Sequence, residues 1–402
     1  MKKPGHETRY KVVIVGGGSA GITVAARLLR ERRALRESVA IIDPATKHYY
    51  QPLWTLVGAG EANRESTERE EASVIPDGAV WLQDTITEFQ PDENAVITDS
   101  GYKLYYDYLI IAAGIQIDWN KIKGLKESIG KDGVCSNYSY DYVESTWESI
   151  QSFKGGSALF TNPNTPVKCG GAPQKIMYLA DDYFRKSGVR SRSEVTFISG
   201  GATIFNVEKY AHALRKVIER KQIKTQFNHN LIEINSRNKQ AIFENVNTRE
   251  RVIMQYDMIH VVPPMSAPDF IKMSPLAAES GWLEVDQYTL QHKRFHNVFG
   301  IGDCTNLPTS KTGAAIRKQA PVLVKNLLCL MRAKPVVHTY DGYTSCPLVT
   351  GYGKLILAEF DYGLNPQESF PIDQSRERFS MYVLKKNLLP IMYWNGMLKG
   401  LM

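Results

Sequence analysis

The pattern of apolar and polar positions near the start of the chain predicts a strand, a helix and a second strand. An apolar run at residues 11–15 leads into closely spaced glycines, and residues 22–30 have a helical pattern. A second apolar run covers residues 39–42. Further buried strands are predicted at residues 106–114, 194–198 and 299–303. Strands that alternate with helices indicate an α/β fold with parallel sheets.

The glycines after the first strand have the spacing of a dinucleotide-binding turn, GxGxxG. Gly16 permits the tight turn, Gly18 lets the backbone approach a pyrophosphate, and Gly21 allows the helix to pack closely on the strand. The N-terminus of the helix attracts the phosphates. Asp43, 22 residues after Gly21, is placed to accept hydrogen bonds from an adenosine ribose. The residues predicted to bind this part of the cofactor are Gly16, Gly18, Ser19, Ala20, Gly21 and Asp43.

Two later segments favour FAD over NAD as the cofactor. Residues 106–114 and 299–303 both resemble segments of flavoprotein reductases that have two dinucleotide-binding domains. This resemblance gives Asp303 a contact with the flavin ribityl chain, and the alternative for Asp303 is a helix cap. His48 either lines the flavin pocket or caps its turn. Further FAD-binding residues are predicted at Gln51, Ala113, Gly114, Gly302, Asp303 and Lys311.

The middle of the chain predicts a second, degenerate domain of the same kind. The strand at residues 194–198 leads into a turn that retains only Gly200 and Gly201, and the bulky Ile204 and Phe205 follow. A pyrophosphate fits badly at such a turn. We therefore expect this domain to keep the Rossmann-like architecture without a requirement to bind nicotinamide, so that electrons enter by another route.

Two of the five cysteines have neighbours in sequence that favour a catalytic role. Cys169 precedes Pro173, which suits the first turn of a helix. The helix N-terminus, Lys168 and Lys175 favour the thiolate form of Cys169. Cys346 lies in a predicted loop, fixed by the proline that follows it, and is the candidate partner.

The other cysteines and the histidines are interpreted as structural. Cys135 lacks a charged or helix-start context, Cys304 is expected beneath the flavin, and Cys329 falls in an apolar helical pattern. His292 and His296 are four residues apart but flank a strand-like segment. No metal site is predicted, because these positions lack helical geometry.

Composition and charge limit the classes of partner. The chain has 402 residues, of which 43% are hydrophobic and 23% charged, as in a soluble globular protein of two or three domains. No apolar stretch reaches the roughly 18 residues that a membrane-spanning helix needs. The net charge of +7 favours anionic membrane surfaces or substrates and is too weak to indicate nucleic acid.

The C-terminal tail predicts attachment to a membrane surface. Residues 380–402 carry no acidic side chain, and Pro390 is expected to divide them into two short segments. Their lysines are Lys385, Lys386 and Lys399, and their large apolar residues include Leu388, Ile391 and Trp394. Such a composition is typical of interfacial anchoring. The alternatives are a helix pair packed on the body of the protein and a dimer interface.

These residues resemble the sulfide:quinone oxidoreductases, in the branch that includes the mitochondrial enzyme and several from Gram-positive bacteria. The resemblance spans nearly the whole chain. It rests on residues 49–58, on the segments around Cys169 and Cys346, and on residues 300–312.

The resemblance implies noncovalent FAD, sulfide as donor, a membrane quinone as acceptor, and a pairing of Cys169 with Cys346, directly or through added sulfur. Hydrosulfide is expected to attack Cys346, which then carries a persulfide, and the released Cys169 passes two electrons to FAD. Lys175 and Lys311 are expected to stabilise reduced flavin or to be ordinary solvated lysines. The sulfur acceptor is sulfite, a low-molecular-weight thiol, coenzyme A or a polysulfide, and a homo-oligomer is left open.

The predicted fold class is α/β, with two Rossmann-like dinucleotide-binding domains and a C-terminal membrane-interface segment. The FAD-binding domain covers residues 1–115 and returns at residues 286–345. The degenerate domain covers residues 116–285, and residues 346–402 form the quinone-site and membrane-anchoring region.

The start of the chain, Met1 to Lys3 followed by a strand pattern at residue 11, predicts no targeting segment. We therefore expect a peripheral protein at the cytoplasmic face of a bacterial plasma membrane. Two rival functions stay open: a type-two NADH:quinone oxidoreductase, and a flavin-binding redox sensor that signals through Cys169 and Cys346.

Overall fold

The computed structural model of the protein describes residues 7–402. The prediction drawn from Met1 to Lys3 lies outside the described residues. The structure is an α/β fold that contains two mainly parallel sheets, as predicted. The division of the chain at residues 115, 285 and 345 stays a prediction.

The first sheet holds the glycine-rich turn. Its strands lie in the order Ala79–Leu82, Val39–Ile42, Glu7–Val15, Lys103–Ile111, Ala95–Thr98 and Ile86–Gln90, and Val298–Gly300 pairs with the carboxyl half of Lys103–Ile111. The apolar residues Val12–Val15 are at most 3% exposed and pair in parallel with Val39–Ile42. Residues 298–300 therefore return to the sheet in which the chain began, which places residues 302–303 beside the first turn.

The second sheet is parallel throughout. Its strands lie in the order Val134–Cys135, Met258–His260, Gly156–Asn162, Ser193–Ser199 and Lys224–Gln226. An antiparallel sheet follows in sequence, formed by His229–Asn235, Gln240–Asn245 and Arg251–Gln255. Three further strand pairs are Lys47–Tyr49 with Glu68–Glu70, Gln116–Ile117 with Met265–Ser266, and Thr344–Gly351 with Lys354–Phe360.

Helices cover the sheets and begin the functional segments. The α-helices are Ser19–Glu31, Trp54–Val57, Glu71–Val74, Leu125–Ser128, Val143–Ser152, Ala172–Lys186, Glu208–Lys221, Asp269–Lys272, Gly313–Leu330, Phe379–Val383 and Leu389–Met392. The 3₁₀ turns are Arg33–Leu35, Gln51–Leu53, Arg64–Thr67, Pro91–Glu93, Trp119–Lys121, Arg190–Arg192, Ser236–Asn238 and Gly302–Cys304. The helix predicted to begin near Pro173 is confirmed as Ala172–Lys186.

The prediction that Cys346 lies in a loop is wrong. Cys346 is part of the strand Thr344–Gly351, where it pairs with Ala358 of the antiparallel neighbour. Pro347 lacks an N–H group, but a two-stranded ribbon has free edges, and a proline is tolerated at an edge. Cys346 is fully buried in this strand.

The C-terminal residues form successive helical turns, and Pro390 does not divide them into two segments. The turns are Phe379–Val383, Leu384–Leu388, Leu389–Met392 and Tyr393–Met397, of which the second and fourth are π-helical. A π turn bonds each N–H one residue further back than an α turn does, which changes the hydrogen bonds around the proline. Within residues 7–402, none of the helices has the length and apolar character that crossing a membrane requires.

Candidate active site

The glycine-rich turn has the backbone that a dinucleotide needs. Gly16 has φ of +105°, and a Cβ atom there would lie 2.6 Å from the carbonyl oxygen of Ala112. A Cβ at Gly21 would collide with the carbonyl oxygen of Gly16. Gly18 instead faces open space, with no atom within 4 Å of the position that a Cβ would take. The turn is therefore tight against the protein and open at the N-terminus of helix Ser19–Glu31, where phosphate binding is favourable.

Two carboxylates flank this turn. Asp43 accepts hydrogen bonds from the N–H groups of Gly17, at 2.5 Å, and Ala45, at 2.8 Å. Glu71 is 2% exposed, and burial raises its pKa. Its Oε1 atom is buried without a hydrogen-bond partner among the described residues. An unpaired buried oxygen is costly, so a hydroxyl donor on a ligand fits here. A ribose contact of Asp43 stays a prediction.

The return segment completes the lining of the predicted cofactor site. Gly114 has φ of +73° and open space around it, and Gly302, with φ of +78°, donates its N–H to Gln319 at 3.0 Å. Burial raises the pKa of the Asp303 carboxyl. Lys311 donates to the carbonyl oxygens of Asp303 and Thr305, at 2.6 and 3.0 Å. Ala20 is buried, and Ala113 packs against the core.

These residues fit FAD. The open backbone at Gly18 and Gly114, the unpaired oxygen of Glu71 and the half-buried Asp303 all lie along the carboxyl edge of the first sheet, where α/β folds bind dinucleotides. Among residues 7–402, no group of three or more metal-ligating side chains is arranged to hold a metal ion.

The structure brings Cys169 and Cys346 together, although they are 177 positions apart. Their Sγ atoms are 3.4 Å from each other, and both thiols are free. Cys169 has φ of +56°, an uncommon conformation for a residue with a side chain, and its N–H donates to the carbonyl oxygen of Lys311 at 2.8 Å. The backbone of the return segment therefore fixes the position of the sulfur.

Lys175 forms a hydrogen bond with the cysteine pair. Its Nζ donates to the Sγ of Cys169 at 3.2 Å, and the side chain is 4% exposed. The hydrogen bond from Cys346 and the charge of Lys175 lower the pKa of Cys169 well below the usual value, whereas burial acts in the opposite direction. The pKa of Cys346 is raised well above its usual value by its hydrogen bond to Cys169 and by burial. The position of Lys175 beside Cys169 therefore favours the thiolate on Cys169 and the proton on Cys346.

Lys385 reaches the same pair from the C-terminal segment, a contact that the sequence did not predict. It is 4% exposed, and its Nζ donates to the carbonyl oxygen of Pro52 at 2.9 Å. Burial and the charge of Lys175 lower its pKa to about 7, while the two cysteines act in the opposite direction. The expectation that Lys385 faces a membrane is wrong, because its side chain is buried against the body of the protein.

Gln51 lies close to the cysteine segment, because it binds Lys168, the residue before Cys169. Lys168 donates from Nζ to the Oε1 atom of Gln51 at 2.7 Å. Burial lowers the pKa of Lys168, and the neighbouring charge of Asp303 acts in the opposite direction. Lys168 thus links the 3₁₀ turn Gln51–Leu53 to the cysteine segment by a hydrogen bond and interacts electrostatically with Asp303 of the return segment.

The remaining cysteines lie outside the pair. Cys135 is fully buried and contacts the carbonyl oxygen of Ile259, and burial raises its pKa to about 12. Cys304 is fully buried in the turn after Gly302, and burial raises its pKa to about 11. Cys329, predicted to be a core residue, is partly exposed near the end of helix Gly313–Leu330.

The C-terminal segment has one face on the protein and one in solvent. The outward apolar face consists of Phe379, Val383, Leu388, Ile391 and Leu401, which are 37–69% exposed. On the inner face, Lys386 and the hydroxyl of Tyr382 bind Glu61, at 2.5 and 3.0 Å. Trp394 is buried beneath the Arg69 guanidinium. The segment therefore packs on the body and still presents an apolar surface.

The turn after strand Ser193–Ser199 of the second sheet is less open than the glycine-rich turn of the first sheet. A Cβ at Gly200 would lie 2.6 Å from the backbone nitrogen of Asn164, and Ile204 and Phe205 are buried at 6% and 8% exposure. The chain takes residues 200–207 to reach helix Glu208–Lys221. The space at the end of this strand is thus occupied by side chains, and the absence of nicotinamide binding stays a prediction.

Comparison with known proteins identifies the family. The profile described as pyridine nucleotide-disulphide oxidoreductase matches residues 10–148. The mitochondrial sulfide:quinone oxidoreductase of Mus musculus is 52% identical over 395 residues, which cover 98% of this chain and 87% of the mouse protein. The chain belongs to the sulfide:quinone oxidoreductase family.

Another sulfide:quinone oxidoreductase, the mitochondrial protein of Dictyostelium discoideum, is 50% identical over 97% of this chain and 86% of its own length. The crystal structure of the sulfide:quinone oxidoreductase from Aquifex aeolicus superposes with a TM-score of 0.80 at 19% identity, covering 97% of this chain and 92% of that one. At this identity the superposition shows the fold, which is the predicted one.

The predicted location at the cytoplasmic face of a bacterial plasma membrane is wrong. The mouse and Dictyostelium sulfide:quinone oxidoreductases are eukaryotic and are named mitochondrial. These relatives point to mitochondria. The prediction rested on the first few residues, whereas the similarity to the mitochondrial proteins covers almost the whole chain.

Proposed function

We propose that the protein oxidises sulfide with Cys169 and Cys346 as its redox pair and reduces a membrane quinone, with noncovalently bound FAD between the two half-reactions. The observation that carries this proposal is the 3.4 Å contact between the two Sγ atoms, with the Lys175 ammonium 3.2 Å from one of them. A redox sensor needs only the two thiols. The burial of Lys175 and Lys385 around the pair supports an enzyme that handles an anionic substrate.

The electrostatics of the pair set the direction of the sulfide reaction. In the bridged form, the sulfur of hydrosulfide bonds to Cys346 and the bond between Cys346 and Cys169 breaks. Cys169 leaves as a thiolate, and the proton of hydrosulfide stays with the persulfide on Cys346. A thiol of low pKa is the better leaving group, and the neighbours of Cys169 lower its pKa. The attack on Cys346 is therefore favoured over the attack on Cys169.

The persulfide sulfur then passes to an acceptor, for which the family resemblance suggests sulfite, a low-molecular-weight thiol, coenzyme A or a polysulfide. Two electrons are released, and the remaining proton goes to solvent, when Cys169 bonds again to Cys346: directly, if the added sulfur has gone to the acceptor, or through that sulfur, if it has stayed on Cys346. FAD, when bound, accepts these two electrons and delivers them to the quinone.

The residues proposed to hold FAD follow the carboxyl edge of the first sheet. Gly16, Gly18 and Gly21 shape the turn, and the N–H groups at the start of helix Ser19–Glu31 receive the pyrophosphate. The half-buried Asp303 accepts hydrogen bonds from the ribityl chain. Further residues of the proposed site are Ser19, Ala20, Asp43, Gln51, Ala113, Gly114, Gly302 and Lys311.

The outward apolar face of the C-terminal segment is the proposed membrane contact. A quinone is dissolved in the bilayer, so an enzyme that reduces it needs a surface that enters the interface. Phe379, Leu388, Ile391 and Leu401 are each at least 47% exposed, although large apolar side chains are usually buried. The other face of the same segment carries Lys385 to the cysteine pair, so quinone access and the sulfide site share one element.

Anaerobic addition of sulfide tests the proposal. Sulfide should bleach the visible absorbance of the bound flavin within a single turnover, and a quinone added afterwards should restore it. An absorbance that sulfide leaves unchanged would exclude the proposed function. NADH is the matched control: the filled turn at Gly200 predicts that NADH does not reduce the flavin, and rapid reduction would favour an NADH:quinone oxidoreductase.

A further inference from the structure

A hydrogen-bond network of four polar side chains joins the glycine-rich turn to the C-terminal segment. Ser19 Oγ lies 2.6 Å from the hydroxyl of Tyr393, which lies 2.6 Å from Nε2 of His48. The Nδ1 atom of His48 is 3.2 Å from Oε2 of Glu71. Tyr393, His48 and Glu71 are at most 6% exposed. The four residues come from distant parts of the chain, so only the complete fold assembles them.

Both ends of this hydrogen-bond network, Ser19 and Glu71, lie at the predicted FAD site. Ser19 is the first residue of the helix whose N-terminus follows the turn. At the other end, the Oε1 atom of Glu71 lacks a hydrogen-bond partner within the described part of the chain. This oxygen lies 2.8 Å from the position of a Cβ at Gly17, and the side chain of Asp43 lies 2.9 Å from the same position. A buried acceptor beside the turn indicates a hydroxyl donor on the cofactor.

We propose that Tyr393 is a positioning residue for FAD, so that FAD binding and the docking of residues 379–402 on the first sheet stabilise each other. Tyr393 holds the hydroxyl of Ser19 at the helix N-terminus and, through His48, holds the carboxyl of Glu71 beside Gly17. If the C-terminal segment leaves, Ser19 loses its partner directly, and His48, the partner of Glu71, loses the hydroxyl that orients its ring. Coupling between two binding events is reciprocal, so FAD must also retain the segment.

Other contacts of the segment provide a matched control. The ring of Tyr393 packs 4.6 Å from the ring of Tyr50, and replacement by Phe keeps this packing while it removes the hydroxyl. Tyr382, in the same segment, donates its hydroxyl to Glu61 at 3.0 Å and has no contact with Ser19 or His48. Tyr382→Phe therefore removes a comparable hydrogen bond that does not lead to the FAD site.

The first test measures FAD release from the purified holoenzyme by flavin fluorescence, with an excess of a competing FAD-binding apoprotein to capture the released cofactor. Tyr393→Phe removes the hydroxyl that bonds both Ser19 and His48, and it should release FAD about tenfold faster than the wild type, a factor that corresponds to about 1.4 kcal/mol. Tyr382→Phe should stay within about twofold. Equal release rates for the wild type and Tyr393→Phe would overturn the proposal.

A double-mutant cycle separates this coupling from general destabilisation. Ser19→Ala removes the other partner of the same hydrogen bond, so the effects of Ser19→Ala and Tyr393→Phe on FAD release should be clearly less than additive. Fully additive effects would contradict the proposal. Both measurements use neither sulfide nor quinone, so their outcome is independent of the proposed function.

Hydrogen exchange tests the reciprocal effect. Removal of FAD from the wild type should speed amide exchange in residues 379–402, and the difference between holo and apo protein should shrink in Tyr393→Phe. Equal amide exchange rates of this segment in the holo and apo protein would show that the segment docks independently of the cofactor. That result would overturn the proposal.

Discussion

The ammonium of Lys175 lies 3.2 Å from the sulfur of Cys169, inside the first turn of the helix that Cys169 precedes. The hydrogen bond from Cys346 and, after it, the charge of this lysine lower the pKa of Cys169, whereas burial acts in the opposite direction. The reduced protein therefore holds a thiolate at Cys169 and a protonated thiol at Cys346. In the proposed mechanism, this asymmetry makes Cys169 the sulfur that leaves and Cys346 the one that receives the incoming sulfide.

Replacement of Lys175 by Met should raise the pKa of Cys169. We expect the midpoint of the pH dependence of its alkylation by iodoacetamide, in the reduced protein, to move upward by about one pH unit or more, since one unit corresponds to about 1.4 kcal/mol of lost charge stabilisation. Lys186→Met is the control, because Lys186 is exposed at the far end of the same helix. An unchanged midpoint in Lys175→Met would show that Cys346 alone stabilises the thiolate.

Lys385 should add a second inflection to the same profile. Its pKa is lowered to about 7 by burial, so its charge disappears as the pH rises through this value. Below pH 7, the ammonium stabilises the Cys169 thiolate and makes it less nucleophilic, so the alkylation rate should rise again as Lys385 becomes neutral. Lys385→Met should lack this rise.

The neighbouring lysine provides the control for this experiment. Lys386 binds Glu61 instead of facing the cysteines, so Lys386→Met should keep the inflection near pH 7. A wild-type profile with a single inflection, or an inflection that persists in Lys385→Met, would contradict the assignment of Lys385 to the cysteine site.

If the outward apolar face binds the membrane, changes in this face should impair quinone reduction without affecting the reduction of FAD by sulfide. Leu388→Glu combined with Ile391→Glu should reduce sedimentation with phospholipid vesicles and slow turnover with long-tailed quinones, because burial in the interface is lost. The reduction of bound FAD by sulfide should be unchanged. Met273→Glu is the control, because Met273 is 80% exposed but lies outside the C-terminal segment. Unaltered vesicle binding in the double variant would exclude this face as the membrane contact.

Local sequence patterns were sufficient for the glycine-rich turn and for the helix that begins near Pro173. Gly16, Gly18 and Gly21 act on one turn, so their spacing alone predicts its shape, and Pro173 marks the start of its helix for the same reason. For Cys346, the proline that follows it suggests a break and so predicts a loop. The strand depends on its antiparallel neighbour, Lys354–Phe360, which a local pattern does not reveal.

The polar contacts of the C-terminal segment could not be predicted in this way. Lys385 binds the carbonyl oxygen of Pro52, and Tyr393 binds Ser19 and His48, at separations of more than 300 residues. In the sequence, Lys385 lies among apolar residues and resembles a lysine at a membrane surface. The one available signal was the polar group itself: a lysine or tyrosine on the apolar side of a helix needs a partner when it is buried.

The proposed function depends most directly on Cys169 and Cys346, and single replacements by Ser test it. Serine is scarcely ionised near neutral pH and forms no sulfur bridge, so both variants should bind FAD but fail to reduce it with sulfide. Cys135→Ser, Cys304→Ser and Cys329→Ser should lose at most about 1–3 kcal/mol of stability and keep the reduction.

Stopped-flow absorbance of the bound flavin after anaerobic mixing with sulfide is the most direct measurement. We predict rapid bleaching in the wild type and in the variants of Cys135, Cys304 and Cys329, and none on this time scale in Cys169→Ser and Cys346→Ser. Bleaching of either of these two variants at the wild-type rate would contradict the assigned redox pair.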